Sequence, residues 1–335
     1  MTKTPIKSDL ISRRRMLRIV GATSAFVALP GTTLAVTALP VIWRGRALGA
    51  NASITLYHPN RNAAAQIVKA CVKEVRRLES IFSIFDPGSA LSELNQLGFL
   101  VDPPAELGAL LTQSRNVGDI THGAFDVTVQ PLWRLFVDHF SQLSADPEGP
   151  PATAVDRTRR LVNYSAISVS ARQINLLKKG MAITLNGIAQ GFITDRVTDM
   201  LKAGGVDQVL VNMGELRGLG RHPDGRPWRV GLTNPLSTDK FSQIINVDNR
   251  AVASSGGYGT RFGGDGRFHH LFDPNSGSSA NFHAGVTVVA PTATLADALS
   301  TGFSAMPLDG VRAVVVELDQ VSAIVTADDG SVTNI

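Results

Sequence analysis

The chain has 335 residues, of which 44% are hydrophobic and 18% charged, and its formal net charge is +4. This length and composition allow a large buried core and exclude a disordered or low-complexity chain. The basic excess lies in the first forty residues, whose six Lys and Arg side chains and Asp9 sum to +5, which leaves the remainder near −1. The overall charge therefore gives no indication of nucleic-acid binding, and we expect no nucleic-acid partner.

An export signal is predicted over residues 1–38. The sequence Ser12-Arg13-Arg14-Arg15-Met16-Leu17 precedes an apolar run, rich in Gly and Ala, that extends from Ile19 to about Ala38. Pro30 and Gly31 interrupt this run, which argues against a permanent membrane span. The pattern is typical of a twin-arginine signal, so we expect export to the periplasm and cleavage near Ala38.

Hydrophobic periodicity and turn residues predict a mixture of helices and strands over the rest of the chain. The predicted strands are 54–58, 182–185, 228–233, 241–252, 286–289 and 321–326. The predicted helices are 61–82, 90–96, 105–121, 190–203 and 292–306. Residues 140–160 are polar and rich in Pro, which indicates a surface loop leading into a short helix, and residues 311–316 are apolar without a clear period. We therefore predict a single α+β domain, residues 43–335, with mostly antiparallel strands and helices packed on them.

The only cysteine is Cys71, so an internal disulfide is excluded. It lies on the apolar face of the predicted helix 61–82, which favours a buried structural thiol. His222 and His283 fall in predicted loops, where exposure is the usual state of histidine.

Polar chemistry is concentrated in three stretches near the C-terminus: ASSGGYGTRF (253–262), FHHLFDPNSG (268–277) and GVTVVAPTATLADALST (285–301). Asp297 and Thr301 are four residues apart, so on a helix their oxygens share one face. Such a pair suits a hard cation such as Mg²⁺. The same segment also fits a capping box, in which Thr294 is the N-cap and Asp297 returns to its amide. Both interpretations remain open from the residues alone.

Two other features suit a phosphate-containing ligand. Ser254-Ser255-Gly256-Gly257 offers hydroxyls and accessible backbone amides, although such a stretch is equally typical of a plain turn. Asn186-Gly187-Ile188-Ala189 is a tight turn that opens a predicted helix, a common arrangement for anion binding. His269 and His270 are adjacent on a predicted strand, so only one of them faces the site.

The order SSGGY, HHLFDPNSG and ADALST resembles the C-terminal signature of the ApbE family, the FAD:protein FMN transferases. Four further motifs stand in the order of that family: FSIFDPGSALSELN (82–95), GAFDVTV (123–129), LNGIAQGFITD (185–195) and LVNMGE (210–215). The resemblance covers most of the chain after the export signal. With its predicted export signal, the chain is similar to twin-arginine exported members of the family, including the type that serves nitrous oxide respiration.

The resemblance implies Mg²⁺-dependent transfer of FMN from FAD, as substrate, onto a Ser or Thr hydroxyl of a partner protein, with release of AMP. The implied partner is a membrane redox flavoprotein, and we expect a monomer. Two alternatives are a periplasmic FAD carrier or maturation factor without transferase activity, and a metal-dependent FAD hydrolase that uses water in place of the partner hydroxyl.

The resemblance also assigns residues to roles. The metal is implied to bind Asp297, Thr301 and the backbone carbonyls of Gly187 and Ser300. The family motif selects His270 as the histidine at the site, where it is a candidate for general base or for electrostatic stabilisation. The implied flavin-nucleotide contacts are Ala124, Phe125, Asp126, Thr184, Gln190, Ser255, Gly256, Leu271 and Phe272. From the residue pattern alone, we expect Phe125 to lie in the core and Asp126 to cap the segment that follows it.

The turn before helix 190–203 departs from the family pattern. The family motif resembles Asp-Leu-Gly-Gly-Ile-Ala-Lys-Gly-Tyr, whereas this chain has Thr184, Asn186, Gln190 and Phe192 at the Asp, first Gly, Lys and Tyr positions. These replacements remove one carboxylate and one cation, which bears on nucleotide affinity more than on a metal held by a backbone carbonyl. In the motif LVNMGE (210–215), Glu215 occupies the position at which the family has an acidic residue.

Overall fold

The structure is a computed structural model that describes residues 39–335 and, before them, the backbone of the strand Arg18–Ile19. The predicted export signal otherwise lies outside the described residues. Within residues 39–335, no helix combines the length and the apolar character needed to span a membrane.

Sixteen strands and eight α-helices are present in the described part of the chain. The strands are β1 (Arg18–Ile19), β2 (Val41–Ala47), β3 (Ala50–Tyr57), β4 (Phe99–Val101), β5 (Ile167–Val169), β6 (Gln173–Leu176), β7 (Gln208–Asn212), β8 (Leu216–Leu219), β9 (Trp228–Asn234), β10 (Ser237–Val247), β11 (Ala251–Ser255), β12 (Arg261–Phe262), β13 (Phe268–His269), β14 (Gly285–Ala290), β15 (Ser322–Thr326) and β16 (Val332–Asn334). The helices are α1 (Arg61–Phe82), α2 (Ala90–Leu97), α3 (Ala105–Ile120), α4 (Gln130–Phe140), α5 (Ala152–Arg159), α6 (Ala189–Ala203), α7 (Ala293–Phe303) and α8 (Leu308–Glu317).

The centre of the fold is an eight-stranded sheet of order β16-β15-β14-β11-β8-β7-β3-β2, in which every neighbouring pair is antiparallel. Its strands alternate between two cores, as period-two side-chain direction requires. Val209 and Val211 face the main core with α1, α6 and α7, whereas Leu210 faces a second core. This second core includes Trp228 and Val230 of the β9–β10 ribbon. The predicted α+β class with mostly antiparallel strands is therefore confirmed.

Two strand predictions are wrong. Residues 182–185 form no strand, because their backbone groups are taken by other partners. The Asn95 side chain donates to the Ile183 carbonyl at 2.8 Å and accepts from its amide at 2.6 Å, while the Thr184 amide donates to Val127. The predicted strand 241–252 is two strands, β10 and β11, because the chain reverses at Asn249, whose φ is +51°. The apolar stretch 311–316 lies within α8.

Cys71 is fully buried on the inner face of α1, and burial raises its pKa to about 11, as expected for an inert thiol. The two loop histidines are not freely exposed, contrary to expectation. His222 Nε2 lies 3.0 Å from the Tyr57 hydroxyl and its ring packs on the edge of Trp228. His283 Nε2 donates to the Met306 carbonyl at 2.9 Å, and burial lowers its pKa.

Candidate functional site

A cleft opens between the N-terminal part of α4, the turn before α6, and the segment after β13. It encloses about 1020 Å³ of space between the protein atoms, and part of that space is open solvent. Ten residues implied by the resemblance line it: Ala124, Phe125, Asp126, Thr184, Gly187, Gln190, His270, Leu271, Phe272 and Thr301. The fold thus brings together, in one cleft, residues that are up to 177 positions apart in the sequence.

Four other implied residues, Ser255, Gly256, Asp297 and Ser300, do not line the cleft. Asp297 and Ser300 are fully buried on α7, directly behind the cleft wall. The Ser255 hydroxyl lies 2.8 Å from the Ser300 hydroxyl and 3.3 Å from that of Thr301. These hydroxyls therefore support Thr301, the member of the group that reaches the cleft.

The first turn of α6 packs directly against the first turn of α7. A Cβ on Gly191 would lie 2.6 Å from the carbonyl carbon of Ala293 and 2.8 Å from the Cα of Thr294, so only glycine allows this approach. The amide of Gly191 donates to Oδ2 of Asp297 at 3.1 Å. A carboxylate at the N-terminus of a helix is electrostatically favourable, so this contact fixes Asp297 against α6.

A second carboxylate makes the reciprocal contact. Asp195 of α6 accepts hydrogen bonds from the amides of Ala293 and Thr294, both at 2.8 Å, and pairs with Arg217 at 2.7 Å. Each helix therefore supplies a carboxylate to the N-terminus of the other. The capping-box interpretation is wrong, because α7 is capped by Thr292 and Asp195, and Asp297 turns to Gly191 instead.

The oxygen atoms near the cleft suit a hard cation. Gly187 lies against Thr301, since a Cβ on this glycine would be 2.9 Å from Oγ1. The Asp297 carboxylate, the Thr301 hydroxyl and the Gly187 carbonyl are all oxygen donors, which fits Mg²⁺ with the remaining positions left to water and phosphate. In residues 39–335 no cluster of three or more His, Cys, Asp or Glu side chains forms an alternative metal centre.

Ser300 fits the predicted metal site less well. Its carbonyl oxygen accepts from the Ser304 amide at 3.2 Å and from the Ser304 hydroxyl at 2.8 Å. Both lone pairs of that oxygen are therefore occupied, which argues against the implied role of this carbonyl as a ligand.

The two adjacent histidines have different surroundings, as the strand geometry predicts. His269 is buried, its Nε2 donates to Asn281 at 3.1 Å, and burial lowers its pKa. His270 lines the cleft, and its Nδ1 lies 3.2 Å from the carbonyl oxygen of Thr260. A carbonyl only accepts, so Nδ1 carries the hydrogen, and Nε2 is the nitrogen able to take a proton.

Asp126 faces the protein with its carboxylate and the cleft with other atoms. Oδ1 accepts from the amide and hydroxyl of Thr128 at 2.7 and 2.6 Å, and Oδ2 accepts from the Tyr164 amide at 2.9 Å. Burial nevertheless raises the pKa of this carboxyl. Asp126 is thus a cap, as the residue pattern alone suggested, while Phe125 belongs both to the core and to the cleft wall.

The residues that depart from the family pattern occupy distinct positions. The Thr184 hydroxyl accepts from the Asn186 amide at 3.3 Å, which helps to shape the turn. The Gln190 side chain is buried between the cleft and Gly214. The missing Cβ of this glycine leaves room for it, since a Cβ there would lie 2.6 Å from the Gln190 carboxamide carbon. Glu215, the next residue, is fully buried and does not reach the cleft.

Several residues at the site have no role that the sequence pattern predicts. Asp195 was missed because its partners lie almost a hundred positions away. Phe85, Gln130 and Trp133 line the cleft. The sequence does contain a signal for Gln130 and Trp133: Pro131 is typical of the first turn of a helix, and residues three apart share one face of a helix.

Comparison with known proteins agrees with this geometry. Residues 48–325 match the model of the ApbE family. The chain is 31% identical over 272 residues to the FAD:protein FMN transferase of Vibrio cholerae, covering 76% of this chain and 79% of the relative. It is also 31% identical over 281 residues to the enzyme of the same name from Treponema pallidum, covering 77% of each.

Solved structures show the same fold. The crystal structure of the ApbE protein from Thermotoga maritima has a TM-score of 0.78 at 26% identity, covering 88% of this chain and 96% of that one. The apo form of the Pseudomonas stutzeri flavinyl transferase ApbE has a TM-score of 0.74 at 26% identity, covering 88% and 94%. By sequence and by fold, this chain belongs to the ApbE family.

Proposed function

We propose that this protein transfers FMN from FAD onto a Ser or Thr hydroxyl of a partner protein and releases AMP. The observation that carries the proposal is the meeting of His270, Thr301 and Gly187 in one cleft, with Asp297 fixed directly behind them. The matched relatives named FAD:protein FMN transferase support the same reaction class.

The reaction is a displacement at phosphorus. The hydroxyl oxygen of the acceptor attacks the phosphorus of the FMN half of FAD, the bond from that phosphorus to the bridging oxygen breaks, and AMP leaves with the bridging oxygen. Nε2 of His270 takes the proton of the attacking hydroxyl, since Nδ1 is held by the Thr260 carbonyl. The aromatic and apolar walls, including Phe125 and Phe272, keep water away from the reacting phosphate.

The same proposal assigns a divalent cation to this end of the cleft. Asp297, Thr301 and the Gly187 carbonyl would hold Mg²⁺, whose contribution when bound is to neutralise charge on the pyrophosphate. The Asp297 carboxylate is already oriented by the Gly191 amide, so the chain spends no further ordering energy on it when the cation binds.

A mass measurement tests the proposal. The protein is incubated with FAD, Mg²⁺ and a candidate acceptor domain, with and without chelator, and the acceptor is weighed. We expect a gain of one FMN on a Ser or Thr that chelator abolishes. Asp297→Asn keeps an acceptor for Gly191 but loses the charge, so we expect transfer to fall at least about a hundredfold. Asp309→Asn, an exposed change in α8, is the matched control.

His270→Ala separates chemistry from binding. We expect it to keep FAD and lose transfer, and an unchanged transfer rate would remove His270 from the mechanism. AMP and free FMN formed without an acceptor would instead indicate a hydrolase. FAD that stays bound and intact with every acceptor would indicate a carrier. In that case Thr184 and Gln190, which depart from the family pattern, are the first residues to change back to Asp and Lys.

We further propose that the protein acts in the periplasm after twin-arginine export, as a partner of membrane redox flavoproteins. The arginine run before the apolar segment supports this location. Replacing Arg13, Arg14 and Arg15 by Lys should retain the protein in the cytoplasm, and fractionation with immunoblotting measures this. Unchanged periplasmic recovery would contradict the proposed route.

A further inference from the structure

The wall of the cleft formed by α4 presents an aromatic ring and a carboxamide that no other function explains. We propose that Trp133 and Gln130 hold one of the two heteroaromatic rings of FAD, with Trp133 stacking on the ring face and Gln130 hydrogen-bonding the ring edge. This inference rests on the proposed function and adds two residues that determine specificity for the nucleotide.

The first observation concerns Gln130. Its side chain lines the cleft, yet the residue is only 4% exposed. No group within residues 39–335 forms a hydrogen bond with its carboxamide. The two polar atoms of the carboxamide are not fully enclosed, so they remain accessible to a hydrogen-bond partner. Because the carboxamide borders the cleft, a ligand in the cleft is the partner that would satisfy it.

The second observation concerns Trp133. It lies three residues after Gln130 on α4, so both side chains lie on the same face of the helix. The indole lines the cleft, is half-buried, and contacts the ring of Phe262 edge-on at a centroid distance of 6.4 Å. One edge of the indole is thus fixed by packing while the residue still contributes to the cleft surface.

The rest of α4 holds this pair in place. Leu132 and Phe136 are fully or almost fully buried, and Phe136 contacts Phe272 and Phe268 at centroid distances of 5.1 and 5.7 Å. The helix is therefore anchored by an aromatic cluster, and the geometry of the pair is formed before a ligand arrives. Such preorganisation is what a specific binding site requires.

The chemistry of the pair matches a flat ring with polar edges. A carboxamide offers a donor and an acceptor side by side, and both isoalloxazine and adenine present a donor beside an acceptor along one edge. An indole stacks on either ring. Ribityl and phosphate groups offer no aromatic face, and the cleft already provides oxygen atoms and a turn for those at Gly187 and Thr301.

Equilibrium binding of FAD tests the role of Gln130. We expect Gln130→Leu to weaken FAD binding about tenfold, because the ring edge loses its hydrogen bonds. The melting temperature without ligand should stay near the wild-type value, because the substitution removes no hydrogen bond within residues 39–335. A purely structural role would give the opposite pattern, with lower stability and unchanged affinity.

Tryptophan fluorescence tests the role of Trp133. The chain has three tryptophans, and the other two are Trp43 on β2 and Trp228 in the second core. A flavin stacked on an indole quenches its emission, so Trp133→Phe should remove most of the quenching that FAD causes. Trp43→Phe and Trp228→Phe are matched controls that should preserve it.

Titrations with FMN and with ADP identify the ring. If the pair holds isoalloxazine, Gln130→Leu weakens FMN and leaves ADP unchanged; if it holds adenine, the reverse is expected. Wild-type affinity for FAD in Gln130→Leu and Trp133→Leu, together with unchanged quenching in Trp133→Phe, would overturn this inference alone. A wild-type protein that fails to bind FAD would overturn the proposed function and this inference with it.

Discussion

The two walls of the cleft satisfy their polar groups in different ways. On the α6–α7 wall, Asp297 accepts from Gly191 and Asp195 accepts from Ala293 and Thr294, so the carboxylates are held by backbone amides. On the α4 wall, the Gln130 carboxamide makes no hydrogen bond within residues 39–335 and remains accessible beside the cleft.

This difference separates two tasks. A cation needs oxygen atoms at fixed separations, and carboxylates that are held by backbone amides keep them fixed. A nucleotide ring needs donors and acceptors that are still available, and the Gln130 carboxamide supplies both. The α6–α7 wall should therefore be sensitive to changes in packing, and the α4 wall to changes in ligand chemistry.

The largest expected effect comes from separating α6 and α7. Gly191→Ala places a methyl group 2.6 Å from the carbonyl carbon of Ala293, where backbone rather than a flexible side chain must move. We expect the free energy of unfolding to fall by about 3 kcal/mol and FMN transfer to be lost, because Asp297 and Gly187 no longer keep their separation. Urea unfolding and the mass assay measure the two effects.

Gly108→Ala is the matched control, since Gly108 also lies inside a helix, α3. A Cβ there would meet its nearest neighbour, Val169, at 3.6 Å, which is ordinary contact. We expect up to about 1 kcal/mol of stabilisation from the better helix propensity of alanine and unchanged transfer. Similar losses in both variants would contradict the claim that the α6–α7 contact is special.

Contacts within one helix of the cleft walls could be predicted from the sequence, whereas contacts between segments that are far apart in the chain could not. The Asp297 and Thr301 pair was predictable because four residues on one helix bring two side chains to one face. The partner of Asp297 was not, because Gly191 is 106 positions away and no local pattern marks it. The capping box at Thr294 was one of two open interpretations, and the amide and hydroxyl of Thr294 instead donate to Asp195, which is 99 positions away.

Local propensity also failed where a side chain competes with strand pairing. Residues 182–185 have the apolar, β-branched pattern of a strand, but the carboxamide of Asn95 takes both backbone groups of Ile183. In contrast, α1 has the bounds that its periodicity predicts, because it buries one continuous apolar face.

A smaller effect is expected from the second carboxylate of the α6–α7 wall. Asp195→Ala removes the acceptor for Ala293 and Thr294 and leaves Arg217 without its 2.7 Å partner. We expect a loss of about 2 kcal/mol in unfolding free energy. The Mg²⁺ concentration for half-maximal transfer should rise because α7 carries Asp297. Unfolding and Mg²⁺ titration measure these changes.

Asp199→Ala is the control for the charge of that variant. Asp199 lies 3.5 Å from the same Arg217, but its side chain is 64% exposed and caps no helix. An exposed pair of this kind contributes little, so we expect both measurements to stay near wild type. If Asp199→Ala raised the Mg²⁺ requirement as much as Asp195→Ala does, the cause would be the loss of a partner for Arg217. The hydrogen bonds between Asp195 and the first turn of α7 would then not be the cause.

The smallest expected effect concerns His269, the buried neighbour of His270. Burial lowers its pKa, and Nδ1 accepts from the Leu271 amide at 3.3 Å while Nε2 donates to Asn281, so the folded protein holds the ring neutral. In the unfolded chain the ring takes a proton below about pH 6.5. Unfolding free energy therefore falls as pH drops below that value.

His269→Gln should remove this dependence, which for one proton amounts to at most about 1.4 kcal/mol per pH unit. Urea unfolding at pH 7 and pH 5.5 measures it, and exposed His122, replaced by Asn, is the control. Unfolding free energy in His269→Gln should change less between the two pH values than in wild type. An equal change in unfolding free energy in the variant and in wild type would mean that burial of His269 does not contribute to acid sensitivity. His269 and His270 would then differ only in which of them reaches the cleft.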